Sequence, residues 1–315
     1  MRLVRKLLIW AVPAALIVLA AVSYTPDSDP AKLLADYGRN GAPVGKLDLF
    51  TREYGDPDGP PLILIHGSNG NALTWEAMIN RLPGYRIITY DQPGHGLTGP
   101  HPKNTYGPDQ MIEALEQVMD AKGLETAAIA GSSMGGRTAW TFAATYPERV
   151  SALILISASG TPTRPEDPTH QPGLIESLLQ TPGLNQILTY VTPRSIIADT
   201  LNRMVVDPSY IDDAHIDLYW RMIRAPGNRQ ATLDRAAQDR PPFHALLGKL
   251  SDYRGPALII WGRQDAVVPL SAAKSFQEVL PQAKSHILDD IGHLPMEEAP
   301  GATAELIEAF LQSVN

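Results

Sequence analysis

The sequence contains no cysteine, and this absence excludes several kinds of protein. Disulfide scaffolds, thiolate zinc sites, iron–sulfur clusters, cysteine nucleophiles and lipid attachment through cysteine all require that residue. Positive charge is also scarce, since 26 Lys and Arg residues stand against 34 Asp and Glu residues, which gives a net charge of −8. Because affinity for nucleic acids depends on clustered cations, we expect no nucleic-acid partner.

Sequence motifs for metals and nucleotide cofactors are missing as well. The chain has no HExxH motif, no Walker motif and no dinucleotide-type GxGxxG after a predicted strand. We therefore expect no metal and no cofactor, and a small molecule as the substrate.

With 44% hydrophobic and 19% charged residues, the 315-residue chain can bury a sizeable core. No feature of the sequence indicates an oligomeric state.

The N-terminus differs in character from the rest of the chain. Three basic residues precede an apolar run of 16 residues, from Leu7 to Val22. This layout is typical of a signal peptide, and residues 7–25 are almost long enough to cross a membrane. We expect residues 1–25 to be an uncleaved signal anchor that holds the catalytic domain on the non-cytoplasmic side. The alternative is export after cleavage of a signal peptide. Residues 26–45, rich in Pro, Asp and Gly, are predicted to be a linker.

From residue 46 onward, strand-like and helix-like segments alternate. Short apolar runs are typical of strands buried on both faces. Their alternation with helices predicts a mostly parallel sheet, with the ligand site beyond the carboxyl ends of its strands. Residues 46–158 and 255–315 form this predicted core, and the segment 159–254 is predicted to be a cap. Its helical periods cover residues 174–188, 195–205, 212–223 and 229–239. The predicted strands cover residues 47–54, 61–67, 85–91, 126–132, 150–158, 256–262 and 284–290.

A G-x-S-x-G motif, with Ser133 at its centre, stands where a predicted strand ends and a predicted helix begins. A serine at such a turn is held in a strained conformation, and the glycines leave room where strand and helix approach closely. Ser133 is therefore the candidate nucleophile. The backbone N–H of the next residue, Met134, is a candidate oxyanion donor. A second donor is expected from Ser68, with Asn69 as the alternative.

A nucleophilic serine needs a base, and the base needs a group that orients it. Of the eight histidines, only His293 follows the last predicted strand in a loop, so it is the candidate general base. Asp265 follows the preceding predicted strand in the same way and is the candidate that orients His293. The order Ser133, Asp265, His293 is that of α/β-hydrolases.

Five stretches stand out along the chain, and they are HGSNG (66–70), DQPGHGLTG (91–99), GSSMGG (131–136), WGRQDAVVP (261–269) and IGHLPMEEAP (291–300). In these stretches, which stand in the family's order, the chain resembles the α/β-hydrolase superfamily, in the cap-bearing branch with esterases, haloperoxidases and C–C hydrolases of ring-cleavage products. The resemblance implies a twisted, mostly parallel sheet of about eight strands and a cap that shapes the substrate pocket. C–C hydrolases typically have Asn directly before the nucleophile, where this chain has Ser132.

We expect a serine hydrolase that cleaves a small to medium, apolar carboxylic ester through an acyl-enzyme. One alternative is a hydrolase of a C–C bond in a diketo acid, and another is a non-catalytic, membrane-tethered binding protein. An arginine of the cap that faces the site would support the C–C alternative, and the candidates are Arg194, Arg221 and Arg224. The candidates to line the substrate pocket are Trp220, Phe243 and Arg137.

Overall fold

A computed structural model describes residues 24–162, 164, 167, 186, 189–238 and 243–314, without the side chains of 243 and 244. Eight strands form one sheet in the order β1-β2-β4-β3-β5-β6-β7-β8. They are β1 (Gly41–Val44), β2 (Leu49–Gly55), β3 (Pro61–Ile65), β4 (Arg86–Tyr90), β5 (Ala127–Ser132), β6 (Val150–Ile156), β7 (Ala257–Gly262) and β8 (Lys284–Leu288). Strands β3 to β8 pair in parallel, while β2 is antiparallel to β1 and β4. The predicted mostly parallel sheet of about eight strands is confirmed.

Helices cover both faces of the sheet, which explains the continuous apolar runs. Along β3, Leu62 and Leu64 pack in one core cluster, whereas Ile63 and Ile65 pack in the cluster on the other face. Successive residues of a strand point to opposite faces, so a strand covered on both sides needs apolar residues throughout. The described α-helices are α1 (Pro30–Tyr37), α2 (Glu76–Ile79), α3 (Pro108–Ala121), α4 (Met134–Thr145), α5 (Arg194–Met204), α6 (Asp213–Ile223), α7 (Asn228–Ala237), α8 (Phe243–Leu250), α9 (Leu270–Val279), α10 (Pro295–Glu298) and α11 (Pro300–Gln312).

Helices α5 to α8 lie in the insertion between β6 and β7. The helical periods predicted over residues 195–205, 212–223 and 229–239 correspond to α5, α6 and α7. Helix α8 had no predicted counterpart, and it packs against α4 of the core. The helix predicted over residues 174–188 lies outside the described residues.

The segment predicted to be a linker, residues 26–45, contains α1 and β1. Asp29 caps α1 by accepting a hydrogen bond from the N–H of Ala31 at 2.9 Å. Pro30 is the first residue of this helix and Gly38 its C-cap, while β1 pairs with β2. Pro and Gly favour the first and last positions of helices. The abundance of Pro and Gly in this segment therefore marks the ends of α1 and β1. For this reason the linker prediction differs from the structure.

The predicted signal anchor falls almost wholly on residues 1–23, which lie outside the described residues. Within the described part of the chain, no helix combines the length and apolar character needed to cross a membrane. Thr25 and Asp27 bind residues of the insertion. The N–H of Thr25 donates to the carbonyl of Tyr190 at 2.8 Å, and Asp27 pairs with Arg229 at 2.6 Å.

Candidate active site

Ser133 occupies the junction between β5 and α4, with φ 52° and ψ −115°. Residues other than glycine rarely adopt a positive φ, and such strain persists only where the surroundings impose it. Here the N–H of Ser133 donates to the carbonyl of Ile156 at 3.0 Å, and its carbonyl accepts the N–H of Ser159 at 3.0 Å. These two bonds hold both sides of the residue against β6 and the chain that follows it. The half-buried side chain is thereby held at the carboxyl edge of the sheet.

Glycines allow the chain to pass close to Ser133. A Cβ on Gly135 would collide with the backbone carbonyls of Ile65 and His66 at the end of β3. A Cβ on Gly67 would stand 3.2 Å from the Cβ of Ser133 and 3.8 Å from its Oγ. The turn that follows β3 therefore lies directly against the candidate nucleophile.

His293 and Asp265 are in direct contact. The Nδ1 of His293 lies 3.0 Å and 2.9 Å from the two carboxylate oxygens of Asp265, and the side chains are only 3% and 1% exposed. The Oδ1 of Asp265 also accepts the N–H groups of Val267 and Val268 at 2.8 Å and 2.9 Å. Because Nδ1–H donates to the carboxylate, Nε2 of the neutral imidazole carries the lone pair that can accept a proton.

The three predicted triad residues follow different strands of the parallel part of the sheet. Ser133 follows β5, Asp265 follows β7 and His293 follows β8. The carboxyl ends of parallel strands share one edge, so all three residues lie at that edge. In the structure, His293 contacts Asp265 directly, and Ser133 lies at the same edge. A single strand, β6, separates β5, which Ser133 follows, from β7, which Asp265 follows.

The predicted oxyanion turn is closed by a hydrogen bond from the N–H of Gly70 to the carbonyl of Gly67 at 3.1 Å. His66 braces this turn, since its Nδ1 lies 2.7 Å from the carbonyl of Gly67 and its Nε2 accepts the N–H of Gln92 at 3.0 Å. Burial lowers the pKa of His66, which keeps the imidazole neutral in that role. Met134 is the first residue of α4, so the helix leaves its N–H unused.

The predicted pocket residues have different surroundings. Trp220 donates through Nε1 to the carbonyl of Thr192 at 2.7 Å, and the guanidinium of Arg224 lies 3.9 Å from its ring. Trp220 therefore packs on the side of the insertion that contacts Pro26, which gives no support to a place in the pocket. Arg137 is half-buried in α4, one turn after Ser133. The side chain of Phe243 lies outside the described residues.

The three cap arginines named as candidates to face the site bind acceptors elsewhere. Arg194 pairs with Asp213 at 2.6 Å, Arg221 pairs with Asp36 at 2.6 Å, and Arg224 donates to the carbonyl of Pro26 at 2.7 Å. These three candidates therefore give no support to the C–C alternative, because each lies beside an acceptor of the insertion or of the N-terminal segment.

Arg235 in α7 reaches the oxyanion turn instead. Its Nη2 donates to the Oδ1 of Asn69 at 2.8 Å and to the Oγ of Ser68 at 3.2 Å. Sequence reasoning missed this residue because α7 is polar along most of its length, where a cation is usually a solvated surface group. Among the described residues, no group of three or more His, Asp or Glu side chains is placed to hold a metal ion.

Comparison with known proteins identifies the family. A family model described as the alpha/beta hydrolase fold matches residues 60–300. The chain belongs to this family. The resemblance inferred from the five sequence stretches is thus confirmed.

The relatives include two kinds of hydrolase. Lipase 3 of a Moraxella species is 28% identical over 263 residues, covering 80% of this chain and 77% of the relative. The 2-hydroxy-6-oxononadienedioate/2-hydroxy-6-oxononatrienedioate hydrolase of Paraburkholderia phymatum is 29% identical over 261 residues, covering 79% and 86%. The solved structure of a meta-cleavage product hydrolase from Pseudomonas fluorescens has a TM-score of 0.71 and 26% identity, covering 87% and 98%. The protein is a hydrolase, which sets aside the non-catalytic alternative.

Proposed function

We propose that the protein is a serine hydrolase that cleaves a small to medium carboxylic ester with an apolar body. Ser133 is the nucleophile, His293 the general base and Asp265 the residue that orients His293. The observation that carries this proposal is the buried Asp265–His293 pair at the same sheet edge as Ser133 in its left-handed turn. The similarity to a lipase adds support.

In the proposed reaction, Nε2 of His293 removes the proton of Ser133 as its Oγ attacks the acyl carbon. The N–H groups of Met134 and Ser68, or of Asn69 in place of Ser68, stabilise the oxyanion. Removal of one such donor typically lowers kcat by about 10²- to 10³-fold. Asp265 stabilises the imidazolium, which then protonates the leaving alcohol. Water attacks the acyl-enzyme by the same proton transfers and releases the acid.

Labelling with a fluorophosphonate probe, followed by peptide mapping, tests this assignment. We expect the label on Ser133 and turnover of p-nitrophenyl esters, both of which disappear in Ser133→Ala. Ser132→Ala is the matched control, since it removes the neighbouring buried hydroxyl and is expected to label normally. A label on another residue, or full ester turnover by Ser133→Ala, would contradict the proposal.

Hydrolysis of a C–C bond in a diketo acid is the second candidate function. It is favoured by the similarity to the Paraburkholderia phymatum hydrolase and by the position of Arg235 at the oxyanion turn. Ser132 stands where C–C hydrolases typically have Asn, which favours the ester. Labelling of Ser133 without ester turnover, together with cleavage of a 2-hydroxy-6-oxo-dienoate, would decide for the C–C reaction.

We propose that residues 159–254 form a cap over this site. Two contacts of the insertion, one with the His293 loop and one with the helix α10 that follows it, support the proposal. The N–H of His293 donates to the carbonyl of Met204 at 2.6 Å, and the N–H of Val206 donates to Glu298 at 2.8 Å. Glu298 also accepts the N–H of Gly292 at 2.9 Å, so a single carboxylate links the insertion to the loop of the proposed base.

We also propose that residues 1–25 anchor the catalytic domain on the non-cytoplasmic side of a membrane. Thr25 and Asp27 bind the insertion, so the proposed anchor would join the catalytic domain beside the proposed cap. Fractionation of cells that express the full chain tests this proposal. Retention in the membrane pellet after alkaline carbonate extraction is expected, whereas an exported product that begins near Tyr24 would favour cleavage.

A further inference from the structure

Arg235 extends from α7 onto the turn that lies against Ser133. Its Nη2 donates to three neutral acceptors, the Oδ1 of Asn69, the Oγ of Ser68 and, at 3.4 Å, the Oγ1 of Thr232. No carboxylate of the described residues lies within ion-pair distance of its guanidinium. The cation therefore stands at the predicted oxyanion turn with its charge uncompensated by a described side chain.

The second terminal nitrogen of Arg235 is available to a ligand. Within the described part of the chain, Nη1 is shielded from solvent and has no hydrogen-bond partner. A buried donor without a partner is costly, and more so when it carries charge. Burial, together with the positive charge of Arg137, lowers the pKa of Arg235 to about 10, so the side chain remains a cation at neutral pH. The fold thus holds a cation whose Nη1 has no hydrogen-bond partner among the described residues.

The surroundings of Arg235 contain further cationic and neutral groups. Burial is the main cause that lowers the pKa of His66 and His95. The charge of Asp91 opposes this lowering at His66, and the charge of Arg235 adds to it at both histidines. Arg137, which contributes to the pKa shift of Arg235, lies one helical turn after Ser133. Arg235 and Arg137 are thus two cations on helices that flank the candidate nucleophile, and positive charge favours an anion.

Three other arginines of the insertion pair with carboxylates, whereas Arg224 binds the carbonyl of Pro26. Arg194 pairs with Asp213, Arg221 with Asp36 and Arg229 with Asp27, each at 2.6 Å. Each of these cations is neutralised by a carboxylate of the chain. Arg235 differs from them in both its charge balance and its position beside the proposed catalytic serine.

We propose that Arg235 binds an anionic group of the substrate, so that the protein selects esters that carry one negative charge near the scissile bond. Nη1 donates to an oxygen of that group, while Nη2 keeps its bonds to Asn69 and Ser68. A carboxylate of a half-ester and the phosphodiester of a phospholipid share this chemistry. The inference rests on the proposed ester hydrolysis. The ester has an apolar body, and its one charged group contacts Arg235.

Two matched substrate pairs test the inference. Monomethyl adipate is compared with methyl hexanoate, and a short-chain phosphatidylglycerol is compared with the corresponding diacylglycerol. The wild-type protein is expected to prefer the anionic member of at least one pair, and the pair that shows the preference identifies the source of the anion. A charged hydrogen bond of this kind corresponds to a ratio of kcat/KM values of about 10 to 100.

The variant Arg235→Gln is expected to reduce that ratio by the same factor, while Arg235→Lys retains part of it because the charge remains. Arg194→Gln is the matched control, since it removes a cation of the insertion that is already paired with Asp213. Its ratio is expected to equal that of the wild type. Equal kcat/KM values for both members of both pairs in the wild type would overturn the inference. An equal loss on both members in Arg235→Gln would also overturn it, because Arg235 would then only hold the insertion on the turn.

A binding measurement separates this inference from the proposed function. Adipate is expected to raise the Tm of the wild type and of Arg194→Gln, but not that of Arg235→Gln. If no ester is turned over and adipate still produces this pattern, the ester proposal fails and the anion site stands. If adipate has the same effect on the Tm of Arg235→Gln as on that of the wild type, the anion site is wrong, whatever the esters show.

Discussion

At the scale of the residue, the candidate site depends on side chains whose chemistry is set by one or two contacts. Asp265 is an example, because its carboxylate receives two backbone N–H groups and the imidazole of His293. The backbone bonds hold the carboxylate in place, and the bond to His293 sets the tautomer. A change that preserves the shape of Asp265 but removes its charge therefore separates these two effects.

Asp265→Asn is predicted to lower ester turnover by about 10⁴-fold, because the amide favours the wrong tautomer of His293. The ratio of kcat values for variant and wild type measures this effect. The variant Asp289→Asn, at an exposed acidic residue of the same edge, is expected to retain normal kcat. Equal kcat for Asp265→Asn and the wild type would contradict the role given to Asp265.

At the scale of the element, strands buried on both faces were predictable from sequence, and so was the exposed edge strand β8, whereas the edge strand β1 was not. Strands β3, β5, β6 and β7 are short apolar runs, and the structure has them where the runs are. Strand β1 is an edge strand with an exposed centre, so its residues carry no hydrophobic pattern.

Helix α6 illustrates a link between elements that only packing creates. Its His215 lies with Nε2 at 3.5 Å from Glu297 and Nδ1 at 3.3 Å from Asp212, and the ring of Tyr210 is 4.9 Å away. Tyr219 donates to the other oxygen of Glu297 at 2.7 Å. The hydrogen bond to Glu297 is the main cause that raises the pKa of His215.

A raised pKa in the folded state means that protonated His215 stabilises the fold. This stabilisation is fully present below the unfolded value of about 6.5 and is lost as the pH rises through the folded value. The Tm difference between the wild type and His215→Gln is therefore predicted to be largest near pH 5 and to shrink towards pH 9. His286→Gln, at an exposed position of β8, serves as the control. A difference that stays constant or grows with pH would show that the His215–Glu297 contact is not ionic.

At the scale of the whole molecule, the N-terminal segment and the insertion pack together although they are far apart in sequence. Leu33 of α1 is 1% exposed and forms a small core with Met222 and Ala225 of the insertion. The next residue, Leu34, is 54% exposed. Adjacent leucines of one helix thus offer a direct comparison of buried and exposed positions.

Leu33→Ala is predicted to lower the free energy of unfolding by about 2–5 kcal/mol, because it leaves a cavity between α1 and the insertion. Leu34→Ala is expected to change it by no more than about 0.5 kcal/mol. Urea unfolding of both variants measures the two values. Equal effects of the two substitutions would show that α1 does not pack on the insertion.

The sequence by itself determined the features that depend on local constraints. Apolar runs mark strands that helices cover on both faces, and the G-x-S-x-G spacing marks a turn that needs glycines beside Ser133. Ser133, Asp265 and His293 each follow a strand, and the carboxyl ends of these three parallel strands lie at one edge of the sheet. Only the tertiary structure decided which cation reaches the site. Arg235 and Asn69 are 166 residues apart, and their contact depends on how the insertion packs on the core. No local pattern records that packing, because a polar helix has the same sequence character whether its arginine meets water, a carboxylate or the turn beside the nucleophile.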